Sequence, residues 1–185
     1  LEVGADSLTQ FLPFFSAALI QVASWGTPVT SGIPTMDYFL SSELLEPHES
    51  QGHYSETLYR LRTLPAIYSK PMVAPLKKTR EDFGFSDSDL LIGCLQNPFK
   101  IHPDFDQALA EMLRRNGFAK VALTLGTYPN AEHLLRARFK RTIADVEDRI
   151  VFMPRLQAND FNDFNRLCDV VLDTFHFGGG ATAYE

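Results

Sequence analysis

Hydrophobic and polar positions change rhythm along this chain. From residue 89 to the end, short apolar runs at 90–95, 120–125, 149–153 and 170–174 alternate with stretches spaced for helices. In the first such stretch Phe105, Ala108, Leu109, Met112 and Leu113 fall on one face, with Pro103 near the start and Gly117 just past the end. That pattern predicts an amphipathic helix with its usual punctuation. A second helix is predicted around 131–146, with arginines on its outer side, and a third from Asn159 or Asp160, burying Phe164, Leu167 and Cys168. Strand and helix in alternation predict a parallel sheet with right-handed crossovers, an α/β domain whose ligands belong at the carboxyl ends of the strands.

The first 65 residues are less regular. Leu8, Phe11, Leu12 and Phe15 share a helical face, with Pro13 set to kink or end the helix, and the expectation is that this face packs into a core. Strands are predicted at 19–25, 36–40 and 58–64, with a polar connection through His53 between the last two. Between them Pro65, Pro71 and Pro75, followed by Lys77, Lys78 and Arg80, read as an exposed linker over 66–88.

The run at 170–174 leads into Phe175, His176, Phe177 and then Gly178, Gly179 and Gly180, before a segment able to begin a helix. Glycines at such a turn let backbone approach a ligand, and the first amides of a helix lack internal partners, so an anion is a natural guest. A plain connection uses the same residues. The amides of 180–182 and the Thr182 hydroxyl can take a phosphate, and Glu185, a helical turn further on, can accept from ribose hydroxyls or stand as a surface residue. Lys100 closes the loop Gln96, Asn97, Pro98, Phe99 after the first strand of the second half. There it fits a diphosphate ligand and an idle surface lysine equally well. Phe161 can present a ring to a base, though a core position on an amphipathic helix is its plainer reading. His176 can touch sugar or phosphate, or serve as a hydrogen-bonded loop histidine. Thr30, Ser31 and Gly32 form a second hydroxyl-rich loop at a strand end, suited to sugar or phosphate oxygens or to an ordinary turn.

Composition narrows the partners. A formal charge of -6 over 185 residues excludes a broad nucleic-acid surface, and no apolar run reaches the roughly 20 residues that span a bilayer. Cys94 and Cys168 lack metal-ligand spacing and read as buried free thiols of a reducing, cytoplasmic compartment. His48, His53, Glu46 and Glu49 form a cluster without a recognised metal spacing, which favours a solvated connection. No Asp-x-Asp pair ends a strand and no Gly-x-Gly-x-x-Gly or Gly-x-Ser-x-Gly motif occurs, so group transfer from an activated nucleotide ranks ahead of hydride or acyl transfer.

Taken in order, Gln-Val-Ala-Ser-Trp-Gly-Thr-Pro-Val-Thr-Ser-Gly at 21–32, Met-Asp-Tyr at 36–38, Tyr-Ser-Glu at 54–56, and the segments 96–103, 149–154 and 171–185 resemble the catalytic region of the O-linked N-acetylglucosaminyltransferase and SPINDLY-like family. The resemblance implies a GT-B type α/β glycosyltransferase: the end of a first, acceptor-side lobe over 1–65, then a Rossmann-like nucleotide-sugar lobe over 89–185, cut short at its C-terminus. It implies inverting transfer of a sugar, N-acetylglucosamine by preference, from a UDP-sugar or a GDP-sugar to protein Ser or Thr. It implies that no metal or other cofactor is required. By position Lys100 matches the diphosphate lysine, Thr182 a phosphate-binding hydroxyl and Glu185 the ribose acid. Leu156 falls where main chain reads the base, Phe161 where a ring covers it, and the 30–32 loop where the first lobe faces the donor. Ala181 departs from the Thr or Asn of many relatives, leaving only its amide, and Ala158 stands where some have Lys. The family's acceptor-side histidines and tetratricopeptide repeats have no counterpart. The expectation is therefore that this chain binds nucleotide without transferring sugar by itself, and that a bare sheet edge favours self-association. The alternative is a non-catalytic nucleotide-sugar-binding or protein-interaction module.

Overall fold

Short apolar segments make short strands in the first half. In a computed structural model, which describes all residues except 1–2, 4–6, 25, 28, 69–74, 127–129, 181–182 and 184–185, the chain divides into two compact units, Leu1–Ser69 and Lys70–Glu185. In the first, β1 (Val22–Ser24), β2 (Tyr38–Ser42) and β3 (Thr57–Leu61) lie parallel in the order β1-β2-β3. Ala23, Ile33, Met36 and Phe39 are buried together, and the Phe39 and Tyr54 rings sit 4.6 Å apart.

The amphipathic N-terminal segment departs from expectation. It forms only a short helix, α1 (Ser7–Phe11), before Pro13 turns the backbone into a 3-10 turn over Leu12–Phe15. Pro13 is buried, while Leu8, Phe11 and Phe15 are exposed and Leu12 is partly so. The predicted core-packing face is therefore not in a core among the described residues.

In the second unit, β4 (Leu90–Cys94), β5 (Ala119–Thr124), β6 (Ile150–Met153) and β7 (Val170–Val171) form a four-stranded parallel sheet in the order β6-β5-β4-β7. The helices α2 (Asp104–Arg115), α3 (Ala131–Thr142) and α4 (Ala158–Leu167) connect them. Strand side chains alternate between faces. Ile92, Cys94, Val121 and Leu123 meet Phe105, Leu109 and Leu113 of α2 and Leu135 and Phe139 of α3 in one cluster. Leu91, Leu95, Ala122 and Met153 meet Phe164 of α4 and Phe85 in another. Both faces are covered, as parallel sheets require. Leu109 and Leu113 are fully buried, and truncating either to alanine would cost about 2–5 kcal/mol. Between α2 and α3, buried Asp106 accepts from Arg138 Nη2 at 2.8 Å and Thr142 Oγ1 at 2.9 Å.

The stretch read as a linker over 66–88 contains far more structure than proline and charge suggested. Arg80 donates to the Leu167 and Asp89 carbonyls and pairs with Asp169 at 2.7 Å, while Lys78 pairs with Asp160 of α4 at 2.8 Å. The Phe83 ring packs edge-on against Phe164 at 4.9 Å. Residues from at least Leu76 to Ser88 thus belong to the second unit, and the basic cluster is engaged in holding α4. Cys94 is buried and Cys168 half-buried, and desolvation pushes their thiols up to about 11 and about 12. No helix among the described residues is long and apolar enough to cross a membrane.

Candidate functional site

Strand order locates the site before any side chain is considered. The chain runs from β4 to β5 to β6 on one side, then returns to place β7 on the opposite side of β4. The loops after β4 and β7 therefore flank the point on the carboxyl edge where strand order reverses, which is where open parallel sheets bind ligands. Those loops are residues 95–100 and 172–180, two stretches singled out from sequence.

They meet directly. Lys100 Nζ donates to the Gly178 carbonyl at 2.8 Å and to Gln96 Oε1 at 3.0 Å, and it lies 4.7 Å from the Phe177 ring centroid. Gln96 is buried, and a Cβ added at Gly179 would meet its Nε2 at 2.6 Å, so the turn packs directly on the Gln96 amide. Asn97 is exposed beside Gly126 of the next loop. Among the described residues no carboxylate lies within ion-pair distance of Lys100, so its partners are a carbonyl and an amide and its charge is left to act on an anion.

Asp173 shapes the turn from within, a role that sequence reasoning missed. Its Oδ1 accepts from Gly179 N at 2.6 Å and Thr174 N at 2.9 Å, and the Thr174 hydroxyl donates to the Phe177 carbonyl at 2.7 Å. The Gly179 amide is thus already satisfied and is not available to phosphate in this arrangement. An Asp placed just before a glycine turn is the signal that could have found it, because a short carboxylate reaches backbone amides a few residues on.

His176 is hydrogen-bonded at the edge of the turn. Its backbone has a φ of 68°, in the left-handed region, and its Nε2 lies 2.9 Å from Asp104 Oδ2 at the start of α2. Asp104 is held below the usual carboxylate range by that hydrogen bond and by the nearby His102 and His176 charges. The His102 ring stands edge-on to His176 at 4.7 Å. These are the described residues with the donor types and spacing to hold a metal. The Glu46 cluster weighed from sequence is organised otherwise, with Glu46 accepting from Tyr54 and Ser41.

Leu156 and Phe161 are half-buried, packed against the Phe85–Leu91–Phe164 cluster. Ala181, Thr182 and Glu185 lie outside the described residues. Thr30, Ser31 and Gly32 belong to the first unit, where Glu56 gathers them. Its carboxylate accepts from Thr30 Oγ1 at 2.7 Å, from Ser31 N at 2.8 Å and from Ser31 Oγ, and Gly32 follows with a φ of 64°. Burial would push the Glu56 carboxyl up, but the hydrogen bonds of Ser31 and Thr30 outweigh it and bring it down to about 2. Thr30 and Ser31 line a cavity of about 200 Å³ with Val3, Gln10, Ala23 and Phe39.

Two parallel-sheet α/β units of this kind define a GT-B type fold. The chain is similar to a solved mutant O-GlcNAc transferase of Thermobaculum terrenum, with a TM-score of 0.71 and 22% identity, covering 89% of this chain and 31% of that one. No protein-family model matches the chain. Sequence carries the likeness further. Over 173 residues, 91% of its length, the chain is 29% identical to the probable UDP-N-acetylglucosamine–peptide N-acetylglucosaminyltransferase SPINDLY of Oryza sativa subsp. japonica. It is 26% identical over 177 residues to the probable enzyme of the same activity named SEC in Arabidopsis thaliana. The resemblance to the O-linked N-acetylglucosaminyltransferase and SPINDLY-like family thus extends along nearly the whole chain, which spans 18% of the length of these curated relatives.

Proposed function

We propose that this chain forms the donor-binding part, and adjoining first-lobe end, of an inverting glycosyltransferase that moves N-acetylglucosamine from UDP to protein Ser or Thr in the cytoplasm. The observation that carries the reading is the meeting of Lys100 with the glycine turn at the point where strand order reverses. A diphosphate entering there exchanges the Lys100 contact with the neutral Gly178 carbonyl for one with an anion, and the ammonium stabilises the negative charge that grows on the departing nucleotide. A lysine in that role makes a bridging metal unnecessary. Thr182 and the amides near it take the distal phosphate, Glu185 the ribose, and Leu156 and Phe161 the base. The names of the relatives support the sugar, the nucleotide and the peptide acceptor.

The test is calorimetric titration of chelator-treated protein with UDP, uridine and GDP, with and without magnesium. The expected result is binding of UDP without added metal, tighter than uridine. A strict requirement for magnesium, or equal affinity for UDP and uridine, would overturn the diphosphate reading, and preference for GDP would reassign the donor.

A further inference from the structure

We propose that His102, Asp104 and His176 form a binding site for one divalent transition-metal ion, zinc by the chemistry of its donors, which ties the glycine turn to the start of α2. The ligand atoms of the three side chains lie within 4.8 Å of one another. Asp104 Oδ2 stands 2.9 Å from His176 Nε2 and 3.3 Å from His102 Nδ1. Donors around a tetrahedral zinc at ordinary bond lengths are separated by about 3.3 Å, so two of the three separations are close to metal geometry and the third closes by rotation of exposed rings.

The placement of the three side chains favours a cation. His102 Nδ1 accepts the Asp104 N–H at 3.3 Å, so that nitrogen is in the unprotonated form a metal ligand needs. His176 reaches the cluster from a left-handed backbone conformation, uncommon for a residue with a Cβ, across 72 positions of sequence from Asp104. Two imidazoles with one carboxylate suit zinc, nickel or copper, whereas magnesium and calcium prefer oxygen donors. All three residues are exposed, so an ion can enter and keep water in its remaining positions. The site is distinct from the Lys100 contact, yet it lies on the same turn. An ion here fixes the turn that carries Gly178 without touching phosphate.

The experiment is a titration of the chelator-stripped 185-residue chain with zinc alone, nucleotide absent, followed by cobalt as a spectroscopic probe. One zinc per chain is expected, with no comparable binding of magnesium, and cobalt should give visible absorption. His102→Gln and His176→Gln should each weaken zinc at least about tenfold, the scale on which loss of metal-site groups is felt. His48→Gln, at an exposed position in the first unit, should leave binding unchanged. Circular dichroism of each variant checks its folding. Absence of stoichiometric zinc binding, or binding unaffected by both ligand variants, would overturn the proposal. Because no nucleotide is present, either outcome is independent of the donor reading.

Discussion

The loop at Thr30 to Gly32 and the glycine turn at Gly178 to Gly180 solve one problem in opposite ways. Each follows the carboxyl end of a parallel strand or approaches it, and each is gathered by a carboxylate that accepts backbone and hydroxyl donors. Glu56 is almost wholly buried and takes Thr30 Oγ1, Ser31 N and Ser31 Oγ, so the donors that shape the first loop are used up by the protein itself. Asp173 is exposed and takes the Gly179 and Thr174 amides, while the ammonium of Lys100 beside it keeps neutral partners. The first loop is finished by folding. The second is left with a positive charge whose best partner is an anion.

Removing the inner carboxylate of the first loop should have the largest effect. Glu56→Ala leaves several buried or half-buried donors without an acceptor and is expected to destabilise the first unit by about 3 kcal/mol, read by denaturant or thermal unfolding. A change below about 1 kcal/mol would mean that water replaces the carboxylate. The same contrast appears on acidification. Glu56 binds its proton more readily unfolded, at the ordinary 4.5, than folded, at about 2. The stability it contributes is therefore complete above pH 4.5 and is lost as pH falls from there toward 2, and the loss should be absent in the Glu56→Gln variant.

Lys100→Ala should come next. It is expected to weaken UDP by roughly ten- to hundredfold, the equivalent of one charge-assisted hydrogen bond of about 1.5–3 kcal/mol, while barely changing uridine. Lys100→Arg should restore only part of the affinity, because a planar fork does not replace a point charge. Equal weakening of UDP and uridine would place the lysine away from phosphate. The smallest effect sharpens the comparison. Asp173→Asn keeps an oxygen for the Gly179 amide but removes a negative charge from the turn. UDP should then bind about two- to fivefold tighter, the scale of one partly screened charge. Weaker binding would show that the shape of the turn matters more than its charge.

The alternation of apolar runs with helically spaced stretches was enough to read the second-unit sheet, since a strand covered on both faces, by Ile92 and Cys94 on one and Leu91 and Leu95 on the other, reads as a continuous apolar run. Lys100 and the triple glycine were legible because each sits at a strand end, where chemistry concentrates. The partners were not. Asp104 and His176 meet across 72 positions, and Arg80 finds Asp169 across 89, separations that local spacing does not encode. The misjudged face of α1 has a different cause. Periodicity says that Leu8, Phe11 and Phe15 share a side, but what covers that side depends on where Pro13 turns the chain. Asp173 follows apolar residues and so reads from sequence as the end of a strand, and only the fold of the turn reveals which amides it holds.

The two cysteines have a practical consequence for anyone wishing to watch the glycine turn move. Cys94 and Cys168 are the only cysteines of the chain, and burial keeps both protonated at neutral pH, where thiols must be ionised to react. A cysteine introduced at exposed Phe99 or Phe177 would then be the one thiol that reacts readily with maleimide or iodoacetamide dyes. Fluorescent or spin labels can be attached beside Lys100 without first removing either native cysteine, and nucleotide or zinc entry followed as a change in the mobility of the label.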